Sequence, residues 1–338
     1  MNMGQRAVEQ LYKRLDTTTA LLKSDLEVSY LDALIETSEN ILAGGQIHVD
    51  AGLPHPEVRQ RLTEQYQQID LVDLDPETIR QAFQLAILRG EQTDALQANH
   101  QMTPDTIGML MAYLIDELAG LKDQDQVLDL TIGTGNLLYT VLNRLKQTQH
   151  LTLTGFGVDN DDTMLALADV SARLQQATVT LYHQDAIDDL VVPQVDLSVS
   201  DLPVGYYPVD QRAEKFDTHA QSGHSFAHHL LIEQSMCYTK PAGFGFFLVP
   251  SLIFQSEEAK SLTKWMTSAT YMQGLLNLPR DLFQDQRAQK AILILQNKGG
   301  QAKQAPKVLL GEFPSLRNQE QLRHFMAEIS AWQQKNIV

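Results

Sequence analysis

The chain has 338 residues, of which 43% are hydrophobic and 20% charged, a composition typical of a soluble globular protein and unlike that of a disordered or collagen-like chain. At roughly 100–200 residues per domain, this length predicts two domains. The formal net charge of −16 disfavours long-range attraction of nucleic acid, although residues 241–338 carry 11 basic and 7 acidic residues.

The first part of the chain predicts a small helical domain. Apolar side chains recur at helical intervals over residues 6–43, and Gly44-Gly45 ends that run. Pro54 and Pro56 indicate a loop, and a further helix is expected to begin near Asp75, a favourable N-cap residue. Because no convincing strand precedes residue 125, we predict a helical N-terminal domain at residues 1–98 and a second domain at residues 99–338.

The second domain alternates short apolar runs with helical segments. A helix is expected to begin at Thr103-Pro104, and the strands are predicted at QVLDL, TLTGFGVD, TVTLYH, VDLSVSD, GFGFFLVP, MQGLLNLP and AILILQ. Further helices are predicted at residues 135–147, 161–176, 222–239, 256–268 and 318–335. Short buried strands separated by helices favour a mostly parallel sheet that is covered on both faces, so the domain is predicted to be α/β.

Two of the predicted strands end in an aspartate next to features of a ligand site. Ligands of open α/β sheets bind beyond the carboxyl ends of the strands. Asp129 is followed by Gly133 and Gly135 without the third glycine of a dinucleotide fingerprint, so a cationic or zwitterionic ligand fits better than a diphosphate. Asp159 ends the next strand, where a carboxylate can bind ribose hydroxyls. The alternatives are a structural turn at the glycines and a helix cap at Asp159.

Two later strand ends have a similar character. Asp185 follows the third strand, where a carboxylate could accept a hydrogen bond from an adenine amino group. Asp201 ends the fourth strand and is followed by a Pro-containing turn with tyrosines nearby, which would form a pocket for a flat heterocycle. The alternatives are a simple turn at Asp185 and a bare loop after Asp201.

Taken in order, these segments resemble the S-adenosylmethionine-dependent N6-adenine-specific DNA methyltransferases of restriction–modification systems. That family has a Thr-Pro segment, an Asp-x-x-x-Gly-x-Gly loop, an acidic residue for ribose, an Asp for adenine and an Asn/Asp/Ser-Pro-Pro-aromatic motif. Thr103-Pro104, Asp129 to Gly135 and Asp201-Leu202-Pro203-Val204 fall at the corresponding places. The resemblance covers about residues 100–298 and implies a Rossmann-like class I methyltransferase domain with a seven-stranded, mostly parallel sheet and one antiparallel strand near its edge.

The resemblance also implies S-adenosyl-L-methionine as cofactor and N6 methylation of adenine in DNA. The residues expected to bind the cofactor are Thr103, Asp129, Thr131, Gly133, Gly135, Asn136, Asp159, Asn160, Asp185 and Ala186. Catalysis is assigned to Asp201, Leu202 and Pro203, because the Asp201 side chain and the Leu202 carbonyl would hold the two amino hydrogens and localise the nitrogen lone pair. The residues assigned to the substrate are Val204, Tyr206 and Tyr207.

Two departures from the family motif leave the methyl acceptor open. Leu202 replaces the first proline, and Val204 replaces the aromatic residue, whose stacking is worth roughly 1–3 kcal/mol per base. Tyr206 or Tyr207 could supply the missing ring, and a duplex substrate would require base flipping. The alternatives are methylation of RNA or of a protein glutamine, and a catalytically silent, cofactor-binding regulatory protein.

Binding of DNA is expected to be weak unless a partner subunit recognises the target. The residues that could contact phosphate lie in a basic region, residues 280–307: Arg280, Arg287, Lys290, Lys298, Lys303 and Lys307. An ordinary solvated face is the alternative for this region. The single cysteine, Cys237, excludes a Cys-based zinc site and an internal disulfide, and fits a reducing cytoplasm, which is the expected location.

No metal site is predicted from the histidines either. His224 and His228 stand four residues apart and are expected on one helix face, but they lack the glutamate of the zinc-protease motif. The sequence also has no apolar run of the ~18–20 residues that a membrane span needs and no secretory signal at its N-terminus.

Overall fold

The computed structural model describes residues 3–94, 102–256, 258–283, 285 and 288–337. Its first four helices are α1 (Met3–Leu26), α2 (Tyr30–Leu42), α3 (Pro56–Tyr66) and α4 (Pro76–Thr93). Within the described ranges, none of the helices combines the length and the apolar character needed to cross a membrane. The predicted boundary between the domains, at residues 98 and 99, lies outside the described residues.

The N-terminal region is helical, with two differences from the sequence prediction. The single run over residues 6–43 is divided at Glu27, which has a φ of 55°, and Ser29 then caps α2 by accepting a hydrogen bond from the Asp32 amide. Helix α3 occupies part of the predicted loop, because Pro56 is tolerated at the first position of a helix. Helix α4 begins as predicted after Asp75, whose carboxylate accepts from the Thr78 amide.

The second region contains the alternating strands and helices. Its elements are α5 (Asp105–Leu118), β1 (Gln126–Asp129), α6 (Asn136–Gln149), β2 (Thr154–Asp159), α7 (Asp162–Gln175), β3 (Val179–His183), β4 (Val195–Asp201), α8 (Asp210–Ala213), α9 (Ala227–Cys237), β5 (Thr239–Pro250), α10 (Ala259–Ala269), β6 (Thr270–Asn277), a short 3-10 helix (Arg280–Leu282), β7 (Lys290–Asn297), β8 (Leu309–Glu312) and α11 (Gln319–Asn336). The seven predicted strands are all present. The helix predicted from residue 222 begins only at Ala227, because the preceding segment pairs with the loop after β4 through the Tyr207 amide and the Ser225 carbonyl.

The eight strands form one sheet in the order β3-β2-β1-β4-β5-β7-β6-β8. Strands β1 to β5 are mutually parallel, and β7 runs antiparallel to both β5 and β6. The mostly parallel α/β sheet and its antiparallel strand are thus confirmed, but in the described part of the chain the sheet has eight strands instead of seven, since β8 adds to β6 at the edge. The strand order reverses between β1 and β4, which is where open α/β sheets bind ligands.

Helix α7 joins the helical region to the sheet. Its Leu165, Ala168 and Ala172 belong to the apolar core on the sheet, whereas other residues of α7, such as Leu167 and Val170, belong to the core of α1, α2 and α4. A helix that buries apolar residues on opposite sides needs packing partners on both. The N-terminal helices are therefore held against the sheet domain by a continuous apolar contact.

Candidate functional site

The glycine loop runs from the end of β1 to the start of α6. Gly133 and Gly135 have φ angles of 52° and 81°, in the left-handed region that favours glycine. A Cβ at Gly135 would overlap the ring of Tyr139, whereas a Cβ at Gly133 would meet nothing within 4 Å. The backbone at Gly133 therefore faces open space that a ligand can approach closely.

Asp129 lies beneath this loop with only 1% of its surface exposed. Its Oδ1 accepts hydrogen bonds from Ser200 Oγ at 2.7 Å and from the Thr131 amide at 3.0 Å. Burial raises the pKa of Asp129 to about 7, and the charges of Asp201 and Asp159 act in the same direction. Asp129 therefore changes its charge near neutral pH.

Asp159 connects the end of β2 to the glycine loop. Its Oδ2 accepts from the Gly133 amide at 2.8 Å, and its Oδ1 accepts from the Asp161 amide at 3.0 Å. The carbonyl of the adjacent Asn160 lies 3.1 Å from Nε2 of His183 on β3. The structure thus places the residue predicted to bind ribose directly against the predicted glycine loop.

Asp185 connects the segment after β3 to the loop after β4. Its Oδ2 accepts from Tyr207 Oη at 2.6 Å and from Arg212 Nη1 at 2.9 Å, and its Oδ1 accepts from the Ile187 amide at 3.0 Å. Ala186 packs against the apolar core that also holds Tyr207. Burial and the hydrogen bond to Asp185 raise the pKa of Tyr207 to about 12. Because Tyr207 is buried, its ring is not available for stacking on a substrate.

Asp201 is held by groups from three other segments. Thr131 Oγ1 donates to its carbonyl at 3.1 Å, Thr103 Oγ1 donates to Oδ2 at 3.0 Å, and Lys290 Nζ contacts Oδ1 at 2.6 Å. Thr131 also bonds to Asp129, so the ends of β1 and β4 form one connected network. In the sequence, Lys290 is recognisable only as part of the basic region. Its place at the site follows from the antiparallel direction of β7, since the first residue of an antiparallel strand lies at the carboxyl edge of its parallel neighbours.

Leu202 and Pro203 continue from Asp201 into a fixed turn. Leu202 is 1% exposed and its amide donates to the Leu248 carbonyl on β5, a bond that a proline could not make. The departure of Leu202 from the family motif therefore has a structural reason. Pro203 lies close to the ring of His228, and burial lowers the pKa of this histidine to about 3, which keeps it neutral.

Val204 and Tyr206 form the exposed part of this turn. Val204 is 52% exposed and Tyr206 is 57% exposed. The Tyr206 ring stacks on Phe226, with ring centroids 4.6 Å apart and planes inclined by 13°. Of the two tyrosines considered as substitutes for the missing aromatic residue, only Tyr206 presents a ring at the surface.

The histidine prediction is wrong in its placement. His224 precedes α9, which begins at Ala227, so it does not share a helix face with His228. It pairs instead with Asp210 at 3.0 Å. Across the described ranges, no group of three or more His, Cys, Asp or Glu residues is arranged to hold a metal ion.

Thr103 and Asn136 are supported from the helical region. Asn136 Nδ2 donates to the Thr103 carbonyl at 2.9 Å, and Asn136 Oδ1 accepts from Arg80 Nη1 of helix α4 at 2.6 Å. Arg80 is 1% exposed and also pairs with Glu77 and Asp105. This contribution of the N-terminal helices to the site was not predicted, because nothing in the local sequence around Arg80 distinguishes it from a surface arginine.

The basic region is divided between two ends of the sheet. Lys290 begins β7 at the site, whereas Lys298 follows β7 at the far end and donates to the carbonyls of Thr267 and Ser268. At about 3.4 Å per residue, the length of β7 separates these two lysines by well over 20 Å. Arg280 pairs with Glu312 at 3.4 Å, and the predicted Arg287 lies outside the described residues.

Comparisons with known proteins agree with this arrangement. Residues 87–330 match the family described as N-6 DNA Methylase, and residues 9–91 match the YtxK N-terminal helical domain. The uncharacterised protein YtxK of Bacillus subtilis (strain 168) is 38% identical over 333 residues, which are 98% of this chain and 99% of YtxK.

Solved structures give the same fold. The crystal structure of a candidate class I S-adenosylmethionine-dependent methyltransferase from Listeria monocytogenes is 40% identical, with a TM-score of 0.89 over 97% of this chain and 99% of that one. The methyltransferase subunit of a type I restriction-modification system from Streptococcus thermophilus is 16% identical, with a TM-score of 0.63 over 94% of this chain and 74% of that one. The second likeness concerns the fold alone.

Proposed function

Because this chain belongs to the N-6 DNA methylase family, we propose that it methylates the exocyclic N6 amino group of adenine in DNA. Family and fold make it a methyltransferase with S-adenosyl-L-methionine as its cofactor. The observation that supports methylation of adenine N6 in DNA is the position of Asp201. It lies at the end of β4, where the strand order reverses, bonded to both Thr131 and Thr103 and followed by the fixed turn at Pro203.

The residues at the glycine loop fit this cofactor. Open space lies over the backbone of Gly133, and carboxylates end β1, β2 and β4 around it, which suits a ligand that carries positive charge. Asp159 would bind ribose hydroxyls, and Asp129 would attract the cationic part of the cofactor once it is ionised. When bound, the cofactor supplies a methyl group that its sulfonium has already activated.

The chain's own task is then to orient the acceptor. An ionised carboxylate offers about four lone-pair sites, so Asp201 retains acceptor capacity at both oxygens beside Lys290 and Thr103. Together with the Leu202 carbonyl it would hold the two hydrogens of an amino group and aim the nitrogen lone pair. Catalysis of this kind depends on positioning. The exposed Tyr206, backed by Phe226, would provide the stacking surface that Val204 lacks.

The test is transfer of labelled methyl groups to separate pools of DNA, RNA and protein at low salt, where binding of DNA by an acidic protein is least disfavoured. We expect label in DNA, and we expect Asp201→Ala to abolish transfer while cofactor affinity stays within about tenfold, since Asp201 acts on the acceptor. Label in RNA or in protein instead would overturn the choice of DNA. Wild-type transfer by Asp201→Ala would overturn the role of Asp201.

A second candidate, a cofactor-binding regulatory protein without transferase activity, is favoured by one observation. Both carboxylate oxygens of Asp201 are already engaged, by Lys290 and by Thr103. Cofactor binding without label in any pool, with and without cell extract as a source of a partner subunit, would support it.

We further propose a cytoplasmic location on the grounds of the single cysteine. We also propose that a partner subunit recognises DNA, on the grounds of the net charge of −16.

A further inference from the structure

An ion pair occupies the position where the methyl acceptor is proposed to bind. Lys290 Nζ lies 2.6 Å from Asp201 Oδ1, and the two side chains are 26% and 18% exposed. The topology fixes this contact, because β7 runs antiparallel to β5 and pairs its first residue, Lys290, with Pro250 at the last position of β5. Lys290 therefore lies at the same edge of the sheet as the end of β4.

The pair changes the charge that an acceptor would meet. Asp129 ends β1, which pairs with β4, and Asp159 ends β2 on the other side of β1, so without Lys290 the acceptor position would be negative. A negative site would attract protonated amines such as lysine side chains, which carry no lone pair and cannot accept a methyl group. With Lys290 in place, a cationic amine meets a like charge, whereas a neutral amino or amide group does not.

We propose that Lys290 is a specificity-determining positioning residue, which compensates the charge of Asp201 and thereby selects neutral planar amino or amide groups as acceptors over cationic amines. The inference rests on the proposed function, since it requires Asp201 to face the acceptor and the activated methyl group. Thr103 holds Oδ2 of the same carboxylate, so the compensated side chain is also fixed in orientation.

The test uses two ligands that differ in one positive charge. S-adenosyl-L-methionine carries a sulfonium, and S-adenosyl-L-homocysteine carries a neutral sulfur. Calorimetry gives the ratio of their dissociation constants for the full chain. A substitution that weakens the binding of both ligands equally leaves this ratio unchanged. Lys290→Met should shift the ratio towards S-adenosyl-L-methionine by about threefold to tenfold, because Asp201 is then uncompensated.

Matched variants distinguish an effect of the charges of Asp201 and Lys290 from an effect on the structure of the site. Asp201→Asn leaves the Lys290 ammonium alone and should shift the ratio in the opposite direction. The double variant Asp201→Asn/Lys290→Met should return close to the wild-type ratio, and Lys290→Arg should keep it. A purely structural role would not produce this pattern of opposite shifts. If Lys290→Met does not fold, Lys290→Gln, which removes the charge and retains a polar end, takes its place.

The acceptor preference is measured with an adenine-containing oligonucleotide and a lysine-containing peptide in competition for labelled methyl groups. Lys290→Met should lower the preference for the oligonucleotide. Unchanged ligand ratios in all the variants, or transfer to the lysine peptide by the wild type, would overturn the inference and leave the methyltransferase assignment standing. Absence of binding of either ligand by the wild type would overturn the proposed function as well.

Discussion

Arg80 on helix α4 donates a hydrogen bond of 2.6 Å to Oδ1 of Asn136, the first residue of helix α6. Asn136 in turn donates to the Thr103 carbonyl, and Thr103 donates to Asp201. A single buried cation in the N-terminal helices thus supports the chain of contacts that leads to the acceptor carboxylate. The helical region is part of the site's architecture as well as a neighbour of the sheet.

Replacing Arg80 should therefore affect both stability and the cofactor site. Arg80→Met removes the hydrogen bonds that Arg80 donates to Asn136 Oδ1 and to the carboxylates of Glu77 and Asp105, so we expect the free energy of unfolding in urea to fall by about 3 kcal/mol. The affinity for S-adenosyl-L-methionine should fall too. Arg173→Met is the control, because Arg173 on α7 pairs with Glu39 on α2 across the same interface but is 46% exposed. Arg173→Met should lower the free energy of unfolding by less than about 1 kcal/mol. Equal decreases in the two variants would contradict the inference that buried Arg80 supports the site.

The sheet and the strand-end aspartates could be predicted because their signals are local. Each strand is a short apolar run, and Asp129 or Asp201 follows at a fixed place in the sequence. Parallel strands bring their carboxyl ends to one edge, so a set of local patterns is sufficient to assemble most of the site. The site residues at the carboxyl ends of parallel strands, such as Asp129 and Asp201, could therefore be predicted from the sequence.

The contacts that could not be predicted are made across long separations. Lys290 reaches Asp201 only because β7 is antiparallel, and its sequence neighbourhood suggests a surface lysine. Arg80 reaches Asn136 because helix α4 packs directly against helix α6, which follows much later in the sequence. Strand β8 was missed because its residues are mostly exposed and carry no buried apolar run.

Asp129 should give stability a dependence on pH that its amide variant lacks. Burial raises its pKa from 3.8 to about 7, so between these values the unfolded chain releases the proton while the folded chain keeps it. The stabilising contribution is complete below about pH 4, falls as the pH rises to about 7, and is constant above that. The free energy of unfolding of the wild type should accordingly fall by a few kcal/mol relative to that of Asp129→Asn between pH 4.5 and pH 7.5. Each unit by which the pKa is raised corresponds to about 1.4 kcal/mol. A difference that stays level across this range would show that the pKa of Asp129 is ordinary.

The two glycines of the loop should respond differently to alanine. Gly133→Ala adds a methyl group in open space at a φ of 52°, so its stability cost should be the backbone strain alone, about 1 kcal/mol. Gly135→Ala adds overlap with the Tyr139 ring and should cost about 3 kcal/mol. Calorimetry should nevertheless show weakened cofactor binding in the folded Gly133→Ala protein, because its new methyl group enters the space assigned to the ligand. Undiminished affinity in that variant would place the cofactor elsewhere.

Restoring the aromatic residue of the family motif should strengthen binding of an unpaired base. Val204 is 52% exposed, so Val204→Phe adds a ring next to Pro203 without entering the core, and the free energy of unfolding should change by less than about 0.5 kcal/mol. Stacking on one base is worth roughly 1–3 kcal/mol, which corresponds to an increase in affinity of about fivefold to 150-fold. Fluorescence anisotropy with a short adenine-containing single strand at low salt measures it.

Two further variants show whether the gain belongs to the site. Val191→Phe adds the same ring at a valine that is 70% exposed and lies before β4, and it should leave the affinity for the strand unchanged. Tyr206→Ala removes the exposed ring that stacks on Phe226 and should weaken binding in the wild-type background more than in Val204→Phe, where a second ring is present. A similar gain from Val191→Phe would mean that any exposed ring attracts the strand. Absence of a gain from Val204→Phe would mean that no base lies beside the Pro203 turn, and the choice of acceptor would then move from nucleic acid to a protein amide.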